Sequence, residues 1–354
     1  MWTRRDLKSY QFSTTMSTKP ISNVGVVFGA MLIGAGIIEA VRVTSTEATT
    51  ELLDIFQKHG HSEVDTARMY VNGTSEAMLG SLGWQQRGLK VSTKIMATKG
   101  KNLTWLTSDQ LSHSPADIRA GLKLSLTALK ADKIDIYYLH APDRSVPYED
   151  TLRELNKIYT EGAFARFGLS NYPAWEVAQI CEICKRNGWV MPSVYQGIYN
   201  AQHRVIEAEL IPCLRAYGIS FYVYNPLAGG FLTSRYTRDQ IEFDAGDRFN
   251  PERPYAAHQR GLFWSEVNFK ALDLLRAAIA AHGITESEAA LRWLAHHSVL
   301  KKELGDAVIL GAAGKKHLED NLEALDKGPL PADVVAALEA GWEETRMRPL
   351  TYSY

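Results

Sequence analysis

Along the chain, short continuous apolar runs alternate with longer stretches in which apolar positions recur every three or four residues. "VGVVFGAM" (24–31) has the length of a strand, whereas "TEATTELLDIFQKHG" (46–60) puts Leu52, Leu53 and Phe56 on one helical face and ends on Gly60, a residue that terminates helices readily. The alternation then repeats. Further strands are predicted at 61–67, 89–95, 133–140, 164–171, 192–200, 219–227 and 307–312, and helices near 74–82, 115–130, 149–160, 173–187, 204–216, 266–282 and 315–325. Additional helices are predicted near 285–297 and 331–345.

Strands rich in Val, Ile, Tyr and Phe, each separated from the next by a helix, imply right-handed crossovers and a parallel sheet. Eight such units predict an α/β protein with a (β/α)8 barrel, additional C-terminal helices and a long lid loop after the seventh strand. A doubly wound nucleotide-binding sheet is the competing architecture, but "GAMLIGAG" after the first strand lacks the spacing of its glycine fingerprint. No compositional break divides the chain, so residues 1–20 are expected to be a flexible tail and 21–354 a single barrel domain. The irregular stretch 228–265 contains "GDRFNPERPYAAHQRGLFW", whose arginines and aromatics suit a lid over an anionic cofactor or substrate. A mobile surface excursion would have the same composition.

The 354 residues are 45% hydrophobic and 22% charged with a formal net charge of −1, a globular profile with no broad attraction for nucleic acid or anionic lipid. Three cysteines are too few for a disulfide scaffold, and no apolar run approaches the roughly 20 residues of a membrane span. A cytoplasmic protein is expected. Cys181 and Cys184 form a C-x-x-C inside a predicted helix, where one-turn spacing suits two small packing residues better than a redox or metal site. The first 20 residues are basic, rich in Ser and Thr and nearly free of acid. They read as a loose tail or a segment preceding a start at Met16, with a weak transit peptide as the alternative.

Barrel enzymes build their sites where strands end and loops begin. Those positions hold Asp65 and Tyr70 after strand two, Lys94 at strand three, His140 at strand four, Ser170 and Asn171 at strand five, Gln196 in strand six, and Tyr224 and Asn225 at strand seven. Any one alone would read as a satisfied structural residue. Their convergence on one rim points to a site.

The motifs "EVDTARMY", "STKI", "YYLHAPD", "GLSNYPAWEV", "VYQGIYN", "YNPLAGGFLT" and "VILGAAGKKHLEDNL", in this order, resemble the aldo-keto reductase superfamily from residue 21 to about 345. "YLHAPD", "SNYPAWEVAQIC" and "YNPLAGG" are most similar to its aflatoxin-aldehyde and succinic-semialdehyde reductase branch. The resemblance implies NADPH-dependent reduction of aldehydes or ketones. Tyr70 would be the general acid, Lys94 would lower its pKa, Asp65 would hold Lys94, and His140 would orient the carbonyl. It further implies nicotinamide contacts from Ser170, Asn171 and Gln196 and stacking by Tyr224. Other cofactor contacts would come from Asn225, Pro226, Leu227, Gly229, Arg248, Ala313, Lys315, His317, Asp320 and Asn321, with Arg260 beside Tyr70 and His140 at the substrate. The opening of the last barrel helix suits phosphate because its free N–H groups and dipole attract anions.

Departures narrow this picture. Ala313 and Gly314 stand where the family commonly has serines, and His317 stands for glutamine, which weakens the expected contacts to a 2′-phosphate. Gln259 and Leu262 replace a tyrosine and an arginine of the branch, which predicts weaker selection for carboxylated aldehydes and a larger or more apolar carbonyl substrate. A homodimer is implied by analogy with the nearest branch. Channel β-subunits of the superfamily supply the alternative function, a cofactor-bound regulatory or scaffold subunit with little turnover. A metal enzyme using Asp65 and His140 is the weaker third reading, since two ligands do not complete a site.

Overall fold

The computed structural model describes residues 22–35, 41–101 and 107–354. Eight strands pair in chain order, all parallel: β1 (Gly25–Gly29), β2 (Glu63–Asp65), β3 (Lys90–Ile95), β4 (Ile134–Leu139), β5 (Phe164–Ser170), β6 (Pro192–Ile198), β7 (Ser220–Tyr224) and β8 (Ala307–Leu310). The last returns to β1, with Gly25 to Phe28 in register with Ala307 to Leu310, and closes the barrel. Helices α1 (Thr46–Lys58), α2 (Thr74–Ser81), α3 (Pro115–Leu129), α4 (Tyr148–Thr160), α5 (Ala174–Asn187) and α6 (Leu210–Tyr217) connect successive strands through β7. Three helices, α7 (Ala256–Phe263), α8 (Glu266–Ile279) and α9 (Glu286–His296), lie between β7 and β8, and α10 (Lys315–Asp326) and α11 (Ala332–Thr345) follow. This is the predicted (β/α)8 architecture with its additional helices.

Side-chain alternation builds two cores. On β4, Tyr137 and Leu139 face the helices while Ile136 and Tyr138 face inward, joining Val27, Val194, Tyr222, Ala307 and Ile309 in a small core inside the barrel. Gly168 pairs with Tyr138 across β4 and β5, and a Cβ on that glycine would lie 2.2 Å from the Tyr138 ring. The missing side chain is what lets the aromatic ring fill the interior. Several helices begin where the sequence offers an oxygen for free N–H groups: the side chains of Ser45, Ser114, Ser265 and Thr285 accept from the backbone of α1, α3, α8 and α9.

Two elements differ from the sequence reading, and the expected lid holds a helix that it did not include. The first strand ends at Gly29 and turns into a short helical segment, Ala30–Leu32. The helix expected over 204–216 is a 3-10 turn, Val205–Glu207, followed by α6, which takes Pro212 in its first turn, where backbone N–H groups have no intrahelical partner. The stretch after β7 is a folded lid, not a loose excursion. Phe231, Tyr236, Phe249, Trp264 and Phe269 pack edge to face with centroids as close as 4.9 Å, and the lid contains α7. That helix was hidden because Gln259 occupies one of its inward positions, between Ala256 and Phe263.

The tail predicted over 1–20 lies outside the described residues. Cys181 and Cys184 are wholly buried on α5, and burial pushes both thiols up to about 12, which removes the reactive thiolate. No helix among the described residues is long and apolar enough to cross a membrane.

Candidate active site

The tripeptide that forms β2 sends Glu63 and Asp65 to the inside of the barrel, Asp65 at its C-terminal end. Asp65 is buried, and the neighbouring β3 brings up Lys94, which is wholly buried. Lys94 Nζ donates to Asp65 Oδ2 at 2.6 Å and to the Thr66 carbonyl at 2.7 Å. Its third direction is toward the Tyr70 hydroxyl, 3.4 Å away. From across the barrel, Gln196 Nε2 donates to Asp65 Oδ1 at 2.8 Å. Burial pushes the Asp65 carboxyl up and the Lys94 ammonium down, while their mutual attraction opposes both shifts.

Tyr70 is aimed by a strained turn. Val71 and Asn72, which follow it, have φ of 49° and 53°, left-handed values that are costly for a β-branched residue. The turn is held by its surroundings. Asn72 Oδ1 accepts from Ser108 N at 2.8 Å and Ser108 Oγ at 2.9 Å, and Arg68 reaches Glu76 at 3.0 Å and Asp109 at 2.8 Å. Gly73, at φ 83°, lets that guanidinium pass, since a Cβ there would fall 2.3 Å from it. Asn171, Asn225 and Ala228, also at positive φ, lie just beyond β5 and β7 on the same rim. Backbone strain therefore concentrates where the polar residues converge.

His140 stands edge-on to Tyr70, with ring centroids 5.9 Å apart. Burial, then the Lys94 charge, hold its imidazole well below the usual histidine range, so the ring is neutral. Asn171 Nδ2 donates to the His140 carbonyl at 2.8 Å and to Ser170 Oγ at 3.0 Å, while its Oδ1 accepts from the Tyr224 hydroxyl at 2.7 Å. One asparagine thus links β4, β5 and β7. Asn225, Pro226, Leu227 and Gly229 form the turn leaving β7, and Asn200 Nδ2 donates to the Asn225 carbonyl at 3.1 Å.

Two basic regions flank this rim. In the lid, Arg235, Arg248 and Arg253, with the buried Asp247, lie within electrostatic reach of Arg42. Arg42 comes from the loop after β1 and packs on Gly246, where a Cβ would be 2.3 Å from its guanidinium. The second region is the start of α10, whose first turn carries Lys315, Lys316 and His317 and no acid. Lys315 reaches Glu51 at 2.8 Å, and Lys316 pairs with Asp320 at 2.9 Å. Ala313 and His317 are exposed and Asn321 is buried. A dinucleotide phosphate fits this donor set: a cluster of like-charged guanidinium groups and an acid-free helix N-terminus both favour anions.

Three expectations change. Burial, then the Asp65 charge, hold the Tyr70 phenol well above its usual 10, the reverse of the expected net lowering, while Lys94 makes its closest bonds to Asp65 and Thr66. Gln196 is engaged with Asp65 as well as standing at the end of β6. Arg260 sits inside the lid, with Nη1 donating to the Phe249 carbonyl at 2.9 Å and its guanidinium 4.5 Å over the Trp264 ring. Gln259 is fully buried and donates to the Tyr255 hydroxyl at 2.9 Å. Residues absent from the sequence reading also reach the site. Tyr255 and Tyr354 lie within electrostatic reach of the Tyr70 and Tyr224 hydroxyls, and Tyr354 N donates to the Asn171 carbonyl at 3.2 Å. Nothing in their local sequence could have signalled this, since lid packing and the path of the chain after α11 bring them there.

The model of the aldo/keto reductase family matches residues 25–343. An aldo-keto reductase of Pseudocercospora fijiensis is 48% identical over 301 residues, covering 85% of this chain and 99% of that protein. The aldo-keto reductase pigE of Monascus ruber is 46% identical over 333 residues, 93% and 97% of the two chains. Aflatoxin B1 aldehyde reductase member 2 of Homo sapiens is 42% identical over 336 residues, 92% and 89% of the two chains.

Proposed function

The chain belongs to the aldo/keto reductase family, in its aflatoxin-aldehyde-reductase branch, and from that premise we propose that this oxidoreductase is an NADPH-dependent reductase of aldehydes and ketones with Tyr70 as its general acid. The observation that carries the reading is the constellation of buried Asp65 and Lys94 with half-buried Tyr70, the Lys94 ammonium 3.4 Å from the phenol oxygen. When bound, the cofactor supplies the hydride.

The residues do the rest. A carbonyl oxygen gaining negative charge needs a donor within hydrogen-bond reach. Burial and the Asp65 charge keep Tyr70 protonated, so it meets that oxygen as a donor, in the sense that suits reduction over alcohol oxidation. Lys94, fixed by Asp65 and Thr66, orients the phenol from behind and stabilises the charge left when the proton moves. Neutral His140 adds a second polar contact to the carbonyl. Ser170 and Asn171, with Gln196, present donors and acceptors suited to a carboxamide, and Tyr224 offers a ring face held by its bond to Asn171. Arg248 and the N-terminus of α10, with Lys315 and His317, would take the phosphates, which favours NADPH over NADH.

The substrate is best read as a neutral aromatic or otherwise apolar carbonyl compound. Arg260 is stacked within the lid and Gln259 is buried beneath it, while Tyr255, Tyr224 and Tyr354 gather near Tyr70. The setting is a cytoplasmic enzyme working on small molecules, as a homodimer by analogy with its branch. The test is NADPH consumption over a panel of carbonyl compounds for wild type and Tyr70→Phe, with NADPH and NADH titrated by fluorescence. Turnover by wild type and loss of about 1,000-fold in kcat with unchanged cofactor Kd is expected. Tight NADPH binding without turnover on any carbonyl would favour the regulatory-subunit reading, and a strict need for a substrate carboxylate would overturn the substrate class.

A further inference from the structure

One guanidinium closes the turn that carries Tyr70. Arg68 follows β2, where its backbone N–H donates to the Lys94 carbonyl at 3.1 Å, and its side chain folds back against Gly73. There Nη1 donates to Glu76 Oε2, in the first turn of α2, at 3.0 Å, and Nε donates to Asp109 Oδ2, between β3 and α3, at 2.8 Å. Glu76 is wholly buried, and its other oxygen accepts from Thr93 Oγ1 of β3 at 2.6 Å. Through these bonds a single side chain joins the exit of β2 and the start of α2 to β3 and to the segment ahead of α3.

The turn needs such a hold. Val71 and Asn72, at φ of 49° and 53°, are consecutive left-handed residues other than glycine, and these persist only where their surroundings impose them. Val71 is buried, and a Cβ on Gly34 would lie 3.0 Å from the Val71 Cβ, so the chain after β1 packs closely on it. Thr74 Oγ1 donates to the Val71 carbonyl at 2.8 Å, and Asn72 Oδ1 accepts from both the backbone and the hydroxyl of Ser108. Those contacts fix residues that follow Tyr70. Arg68 starts before Tyr70 and ends on Glu76 after it, so its bonds span the whole turn. The phenol's own contact with Lys94, at 3.4 Å, is long for a hydrogen bond, which leaves its aim to the backbone that carries it.

We propose that Arg68 is a positioning residue for carbonyl reduction, acting through Tyr70: by bridging Glu76 and Asp109 across the strained turn, its guanidinium sets where the phenol stands relative to Lys94 and the substrate oxygen. The inference rests on the reductase reading above. A planar fork of donors serves two carboxylates at once, which a compact ammonium does not match. A displacement of the acid by about 1 Å is enough to cost on the order of 100-fold in rate.

The test separates aim from stability. Arg68→Met strands a buried carboxylate at Glu76, so it is made alone and together with Glu76→Gln, which removes that charge and keeps an oxygen for Thr93. Expected is a fall in kcat of about 10- to 100-fold for Arg68→Met against wild type, and again for the double variant against Glu76→Gln alone, with NADPH Kd within about twofold throughout. The melting temperature should drop in the single variant and recover in the double one. The 13Cζ signal of Tyr70, identified by its loss in Tyr70→Phe, should move whenever Arg68 is replaced. A kcat that recovers along with the melting temperature, no loss of kcat at all, or an unmoved Tyr70 signal would overturn the proposal. If Arg68→Met does not fold, the comparison of the double variant with Glu76→Gln carries the test. Should wild type reduce no carbonyl, the reductase reading fails by itself. The Tyr70 signal then decides: a shift on replacing Arg68 upholds its placing of the phenol, and an unmoved signal rejects it.

Discussion

Glu63 and Asp65 leave the same short strand on the same inward face, one at each end of the barrel, and each meets a buried or part-buried cation. At the N-terminal end Arg166 is saturated. It donates to Asp135 at 3.3 and 2.5 Å, to Glu63 at 3.1 Å and to the Tyr222 hydroxyl at 3.3 Å, and that hydroxyl in turn donates to Glu63 at 2.9 Å. At the C-terminal end Lys94 has one carboxylate and one carbonyl at close range, and its remaining donor points to a phenol at 3.4 Å. The first cluster closes on itself and braces the sheet. The second keeps a direction open toward the rim, among backbone residues at strained φ, which is how a buried charge becomes available for chemistry.

Removing each cation separates the two roles most sharply. Lys94→Met should lower kcat by at least about 100-fold, because the phenol loses its orienting charge. Arg166→Met should leave the kcat of folded enzyme within about twofold yet cost about 3 to 5 kcal/mol of stability, since Glu63 and Asp135 lose their partner. Steady-state kinetics beside denaturant unfolding would check both, and a large kcat loss for Arg166→Met would erase the distinction.

The next effect concerns histidines buried without charge. Burial lowers His113 and His203 from 6.5 to about 4, so between those values the unfolded chain binds protons that the folded one refuses. Their stabilisation is complete above pH 6.5 and is lost as pH falls toward 4, about 2 kcal/mol for each by pH 5. His203→Gln should flatten the unfolding free energy between pH 7 and 5 by one such contribution. An unchanged pH slope would show that His203 is not buried neutral.

Smaller effects distinguish the two basic regions on the rim. Arg248→Ala is expected to weaken NADPH binding about 10-fold with kcat nearly unchanged, measured by fluorescence titration. Lys316→Ala, which removes an exposed pair with Asp320, should change stability by less than about 0.5 kcal/mol. Equal cofactor losses from both would mean that α10 contributes as much as the lid.

The barrel was legible because its information is local and repeated. Each apolar run or amphipathic face states one element, and eight such units without a dinucleotide glycine fingerprint favour a closed parallel barrel over a doubly wound sheet. Boundaries were less legible where a turn borrowed partners from afar, as at Ala30–Leu32 and Val205–Glu207. The candidate residues Asp65, Tyr70, Lys94 and His140 were visible as polar residues at strand ends, and the structure brings them together. The direction of the Tyr70 shift was not visible, because it depends on how deep the phenol lies and on which neighbour claims Lys94 first.

The sequence by itself determined the strand and helix order, the rim on which polar residues gather and the family to which the chain belongs, since periodicity and motif spacing are properties of neighbouring positions. Tertiary structure alone decided that Gln259 is buried while Tyr255 and Tyr354 reach the site, and that Arg260 stacks inside the lid. Those relations join segments far apart in the chain, and only packing sets the distances and burial on which hydrogen bonding and charge depend.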